Sequence, residues 1–194
     1  MYRALTWWLA SREADTEDRT LVASLAVIPR IEVSGDPEAP WTRVNGRDVS
    51  AEIRGQEVSA RVSAVASVPE VRAHLIAMQQ AIIAAAEPGI VAEGRDIGTV
   101  VAPAAAVKVF LTAASGARAA RRAGEQGTSV ADTEAAQDRR DRLDAAQSAM
   151  AYDAVLLDST DMTLPEVIEA ITGLARERAG DSSALACTGR KCHD

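Results

Sequence analysis

The 194 residues carry a formal net charge of −7 and are 47% hydrophobic but only 3% aromatic. That bounds the chain to one domain with room for a small insert, and its core must be filled mostly by alanine, valine and leucine. There is no global basic field for nucleic acid, and no apolar run of the about eighteen residues that a membrane span needs. Cys187 and Cys192 stand alone near the end, so no disulfide framework is expected and a reducing cytoplasm is the expected setting.

Lys108 and Lys191 are the two lysines; every other cation is an arginine. Any anion site must therefore be built from guanidinium groups, although a compositional bias explains the pattern equally well.

In chain order, Leu5, Trp8 and Leu9 share one helical face, with Arg3 off it. Thr16 to Val27 predicts a second amphipathic helix, its stripe Leu21, Leu25 and Ile28, ended by Pro29. Arg30 to Val33 alternates as a strand. Asn45-Gly46, inside Trp41 to Val49, accepts the positive φ angles of a type I′ hairpin turn, so residues 30–50 predict a small antiparallel sheet. Glu57 to Ala66 is helical, packing Val58, Val62 and Val65. Ser67-Val68-Pro69-Glu70 has capping-box spacing and opens a helix whose stripe is Val71, Leu75, Met78 and Ile82. Ser63 and Arg72 both fall off their stripes.

Ile90 to Ala92 is apolar without alternation, as in a strand covered on both faces, and it breaks into Glu93-Gly94-Arg95-Asp96-Ile97-Gly98-Thr99. Ligands of open α/β sheets sit beyond the carboxyl ends of strands, where Arg95 and Asp96 would fall. An ordinary turn bearing a surface salt bridge is the alternative. Val107 to Leu111 and Ala154 to Asp158 are further buried-type strands. Between them lie a helix with Arg118, Arg121 and Arg122, a loop at Gly124 to Val130, and a helix over Asp132 to Gln147 with Arg139, Arg140 and Arg142. Thr163-Leu164-Pro165-Glu166 opens a last helix to about Arg178, and a polar tail follows. This alternation predicts an α/β class with a parallel sheet.

His74 lies mid-helix and His193 in the tail, which leaves little for a histidine triad. Cys187, Cys192 and His193 lack metal-site spacing and a fourth ligand. Arginines remain: Arg3, Arg95 and the 118–122 and 139–142 groups could converge on a phosphoanion, or be solvated helix faces paired with Asp138, Asp141 and Asp144.

Taken in order, Met1-Tyr2-Arg3-Ala4, Val44-Asn45-Gly46-x-Asp48-Val49, Val58-Ser59-x3-Ser63-x-Val65-Ala66, Pro69-x-Val71-Arg72, Glu93-Gly94-Arg95-Asp96-Ile97-Gly98-Thr99 and Lys108-Val109-Phe110-Leu111 resemble bacterial cytidylate kinases. Arg118-Ala119-x-Arg121-Arg122, Arg140-Asp141-x2-Asp144 and Leu157-Asp158-Ser159-Thr160 extend the likeness to about residue 178. The resemblance implies a nucleoside-monophosphate-kinase fold: a parallel sheet with helices on both faces in residues 1–29 and 67–178, a lid over about 118–150, and an antiparallel monophosphate-binding insert at 30–66. It implies transfer of the ATP γ-phosphoryl group to CMP or dCMP, with Mg²⁺, by a cytoplasmic monomer. Arg3 and Arg95 would bind the CMP phosphate. Ser63, Arg72 and Asp96 would read the cytosine edge, Asp96 accepting from the exocyclic amine that uracil lacks. Arg140 would contact phosphates from the lid and Asp144 would meet the sugar.

Two departures set further expectations. The family opens with a strand and a phosphate loop, G-x-x-x-x-G-K-S/T, yet no glycine here is followed by lysine. The sheet is therefore expected to lack its first strand, leaving a slot between the strands at Ile90 and Val107. Met1 is expected to be an internal methionine, with catalysis by a longer form; a non-catalytic CMP-binding remnant is the alternative. Gln147 also stands where the family usually has arginine, so no role is carried to it.

Overall fold

A computed structural model gives the architecture. It describes residues 1–87, 89–127, 129–145 and 148–187, without the side chains of 125, 126, 132, 136, 140, 144 and 179–187. The chain divides into two units, residues 1–94 and 95–194.

The first unit is organised around α1 (Tyr2–Ala10), which buries Ala4, Leu5, Trp8 and Leu9 as its periodicity predicts. It packs on α3 (Gln56–Ala66), on the 3₁₀ turn Glu52–Arg54 and on β2 (Thr42–Val44). The core continues through Val22, Ile31, Val44, Val49, Val65, Val68, Val71 and Leu75.

Helix α2 (Arg19–Leu25) starts later than its pattern suggests, because Asp18 caps it, accepting from the Leu21 N–H at 3.0 Å. Val22 and Ala26, four residues apart, are the residues here that are fully buried, while Leu25 of the expected stripe packs partly buried against the core. Ile28 lies beyond the helix and is 59% exposed.

Strands β1 (Ile31–Val33), β2 and β3 (Arg47–Asp48) form the expected antiparallel sheet, with Ile31 opposite Val44 and both buried. Asn45 and Gly46 take φ of +50° and +82°, the left-handed pair of a type I′ turn. The Asn45 side-chain oxygen accepts from the Arg30 N–H at 2.9 Å, closing the sheet at its entry.

Helix α4 (Pro69–Ala85) begins without the expected capping box. Proline at its first position needs no N–H partner, and the Ser67 hydroxyl instead donates back to the Ala64 carbonyl at 2.7 Å, finishing α3.

The expected strand at Ile90 to Ala92 does not form, and Val91 is 95% exposed. An extended run with no ladder partner gains nothing over hydration of its own N–H and C=O groups, so its apolar side chains have no face to pack on.

In the second unit, β4 (Val109–Thr112) and β5 (Val155–Asp158) pair in parallel, Val109 opposite Val155 and Thr112 opposite Asp158. Among the described residues this parallel sheet has two strands, so the three-stranded expectation is corrected. The crossover carries α5 (Ser115–Gln126) and α6 (Val130–Asp144), which pack against each other. The connection between them is shorter than expected, because Gly127 ends α5 in the left-handed conformation, φ +65°.

Helix α7 (Leu164–Cys187) opens where the Thr163–Glu166 spacing predicts: the Thr163 N–H and hydroxyl both donate to Glu166 Oε2 at 2.7 Å. It runs past Gly180 into the expected tail, where Ala184, Leu185 and Ala186 are good helix formers. Cys192 and His193 lie outside the described residues. No described helix is long and apolar enough to cross a membrane.

The hairpin turn is directly testable. Gly46→Ala forces a side chain into positive φ and is expected to lower the first unit's stability by about 1 kcal/mol, read as a lower urea midpoint; Gly46→Asn should cost less.

Candidate active site

In the first unit Arg3 is a structural tie as well as a candidate ligand. Its Nε donates to the Ile53 carbonyl at 2.5 Å and its Nη2 to Ser59 Oγ at 2.7 Å. Ser59 in turn donates to the Gly55 carbonyl at 3.0 Å. The guanidinium thus fastens α1 to the 3₁₀ turn and to α3. Ser63 stands one turn beyond Ser59 on the same face of α3, so it shares the side of the helix that Arg3 reaches. Arg72 lies in the first turn of α4, half-buried, and α4 packs on α3.

In the second unit the Arg95-Asp96 step leads into a π-helical turn, Ile97–Val101. The Asp96 carbonyl accepts from Val100 N–H at 2.9 Å and Val101 N–H at 3.3 Å, and the residue is buried. Such turns insert one residue into the helical repeat and recur at functional sites. Gly98 of this turn lies over the Lys108 side chain.

Arg95 and Arg118 come together on one carboxylate. Arg95 Nη2 donates to Asp141 Oδ1 at 3.2 Å, and Arg118 Nη1 to Asp141 Oδ2 at 2.5 Å. Burial of Asp141 raises its pKa, but the hydrogen bonds and charges of Arg118, then Arg95, outweigh that and hold it below the usual carboxylate value. Among the described residues, Arg118 Nε is buried with no hydrogen-bond partner.

The other arginine candidates separate. Arg121 is spent on the loop after β5, donating to Ser159 Oγ at 3.2 Å, to the Met162 carbonyl at 2.9 Å, and to the Ser159 and Thr160 carbonyls. Its planar fork gathers a turn of carbonyl oxygens, apart from the Asp141 carboxylate that takes Arg95 and Arg118. Arg142 Nε donates to the Asp138 carbonyl of its own helix at 3.2 Å. The side chains of Arg140 and Asp144 lie outside the described ones.

Lys108 is a second polar anchor that the sequence reading passed over. Its ammonium is bonded to both Asp153 oxygens, at 2.8 and 2.7 Å, and to the Pro103 carbonyl. The Lys108 hydrogen bond holds the Asp153 carboxyl below its ordinary value. A cavity of about 510 Å³, lined by Lys108, Asp153, Leu174, Glu177 and Arg178, opens beside this pair. It lies at the amino ends of β4 and β5, opposite the edge where ligands of α/β sheets bind.

A family model for cytidylate kinase matches residues 1–177, a span that includes every site residue named above. The chain is 48% identical over 182 residues to a cytidylate kinase of Streptomyces avermitilis, covering 91% of this chain and 79% of that protein. To a cytidylate kinase of Streptomyces coelicolor it is 49% identical over 185 residues, 92% of this chain and 80% of that one. The chain belongs to the cytidylate kinase family. A bifunctional pantoate ligase/cytidylate kinase of a Synechococcus strain is 42% identical over 189 residues, and there the matched part is 38% of the protein. The family is one of phosphotransferases, and the α/β architecture with a parallel strand pair agrees with it.

The lowered carboxylates give the second unit an acid limit. For Asp141 and Asp153 a depressed folded pKa means stability that is present above the unfolded value and lost as pH falls through the folded one. Thermal midpoints are expected to hold from about pH 5 upward and to drop below about pH 4. Lys108→Met should lower the midpoint at neutral pH and flatten part of that acid limb.

Proposed function

We propose that this chain binds CMP and dCMP as phosphoryl acceptors, with ATP as the donor and Mg²⁺ accompanying it. Family membership carries ATP-dependent phosphoryl transfer in general. The choice of cytosine is supported by the relatives' names and by one step of this chain: a buried carboxylate, Asp96, next to a guanidinium, Arg95, that already accepts an anionic partner.

The proposed division of labour follows the chemistry of the groups. Arg95 takes the acceptor phosphate through the planar geometry that suits phosphate oxygens. Asp96 accepts from the cytosine 4-amino group, where uracil presents a carbonyl and would face the carboxylate with a second acceptor. Arg3 is assigned to the phosphate, Ser63 and Arg72 to the base edge, Arg140 to the transferring phosphates and Asp144 to the sugar. Neutralising charge on equatorial oxygens is what phosphoryl transfer asks of a protein, and arginine keeps its charge at any working pH. Among the described residues no cluster of His, Cys, Asp or Glu fits a metal ion. Mg²⁺ commonly rides on nucleotide phosphates rather than in an all-protein cage. A cytoplasmic monomer completes the proposal.

Equilibrium binding tests the acceptor assignment without asking for turnover. CMP is expected to bind about ten-fold or more tightly than UMP, and Asp96→Ala to erase most of that gap. Arg140→Ala should weaken both nucleotides alike. Equal affinity for CMP and UMP in the unaltered chain would overturn the cytosine assignment.

A further inference from the structure

We infer that Asp141 is a positioning residue for the acceptor phosphate, holding Arg95 and Arg118 side by side so that the pair presents one cationic face. The inference rests on the reading of Arg95 as a phosphate ligand and extends it to two residues that reading does not use.

The geometry carries it. Each oxygen of one carboxylate takes one guanidinium, Arg95 at 3.2 Å and Arg118 at 2.5 Å. The three residues come from the loop before the π-turn, from α5 and from α6, separated by 46 and 23 positions. Two cations sharing so small a space repel, and separation would relieve them unless an anion stands between. Asp141 is that anion. It is 30% exposed, between arginines at 46% and 37%, so the cluster is held on the protein and still open to solvent.

A second observation concerns Arg118 itself. Among the described residues, Arg118 Nε is buried and has no acceptor. A guanidinium N–H left without a partner is costly, and a further anionic oxygen is what it lacks. A phosphomonoester has three terminal oxygens to distribute among such donors. Asp141 itself does not touch the phosphate in this scheme. It acts through the two arginines, and replacing it loosens their spacing without removing either charge.

The test compares CMP with cytidine, which lacks the phosphate, by titration calorimetry and competition on the full chain. Arg95→Ala and Asp141→Asn are each expected to weaken CMP about ten-fold and to leave cytidine unchanged. Asp141→Glu, which keeps the charge, should restore most of the loss. The Arg95→Ala/Asp141→Asn double variant should lose less than the sum of the two single losses, because Asp141 acts in part through Arg95 and in part through Arg118. If Arg95→Ala weakens CMP but Asp141→Asn does not, the positioning role is wrong. If Asp141→Asn weakens cytidine as much as CMP, Asp141 is a fold residue only. If Arg95→Ala itself leaves CMP unchanged, the phosphate reading fails, and that failure is distinct from the other two.

Discussion

Like charges do not stay together unaided, and the second unit is arranged around that constraint. Arg95 and Arg118 approach each other because Asp141 stands between them with one oxygen for each. The same contact joins the segment after Gly94 to both helices of the crossover, which are also linked by the Ser115 hydroxyl of α5 to Glu134 and Asp138 of α6, and the apolar side chains that α5 buries are Ala119 and Ala123. A helix pair cored by alanine buries little apolar area, so ionic contacts at its margin decide more of its geometry than they would beside leucines.

Arginine is used in this chain in two ways that composition alone does not separate. Arg121 and Arg3 point their forks at carbonyl oxygens and at a serine, bracing a loop in one case and three elements in the other. Arg95 and Arg118 are instead gathered on a carboxylate. Five donors in a fixed plane make the side chain equally good at stapling backbone and at receiving anions. Lysine, used for the tie to Asp153, works as a largely buried point charge that meets both oxygens of one carboxylate.

Local grammar was the most legible part of the sequence. Asn45-Gly46 specified its turn, Leu5, Trp8 and Leu9 specified a face, and Thr163 to Glu166 specified a helix start, because each is settled by residues within one turn of each other. Some failures were local, as at Ser67–Glu70, where the spacing fits a capping box but none forms, and others needed knowledge of something distant. Ile90 to Ala92 has a strand's composition, but a strand exists only with a neighbour to pair it. The start of α2 turned on which residue caps it. The family motifs were readable as motifs, and Arg95, Asp96 and Arg3 were named from them. Asp141 was visible only as one acid among several on an arginine-rich helix, since its partners lie 46 and 23 residues away. Ser59, the residue that receives Arg3, stands in the same motif as Ser63, but sequence carries no sign that a side chain 56 residues away reaches it.

The hairpin turn also sets how this protein ages. Asparagine followed by glycine is the backbone step most open to cyclisation, because glycine leaves the attacking nitrogen unhindered. In the folded chain the Asn45 carboxamide is engaged with the Arg30 N–H, which fixes the side chain that would have to swing toward Gly46. Chemical damage at this position is thereby tied to opening of the sheet. Each conversion to aspartate would replace a neutral acceptor by an anion at the sheet's entry, so the intact fold protects the very step that shapes it.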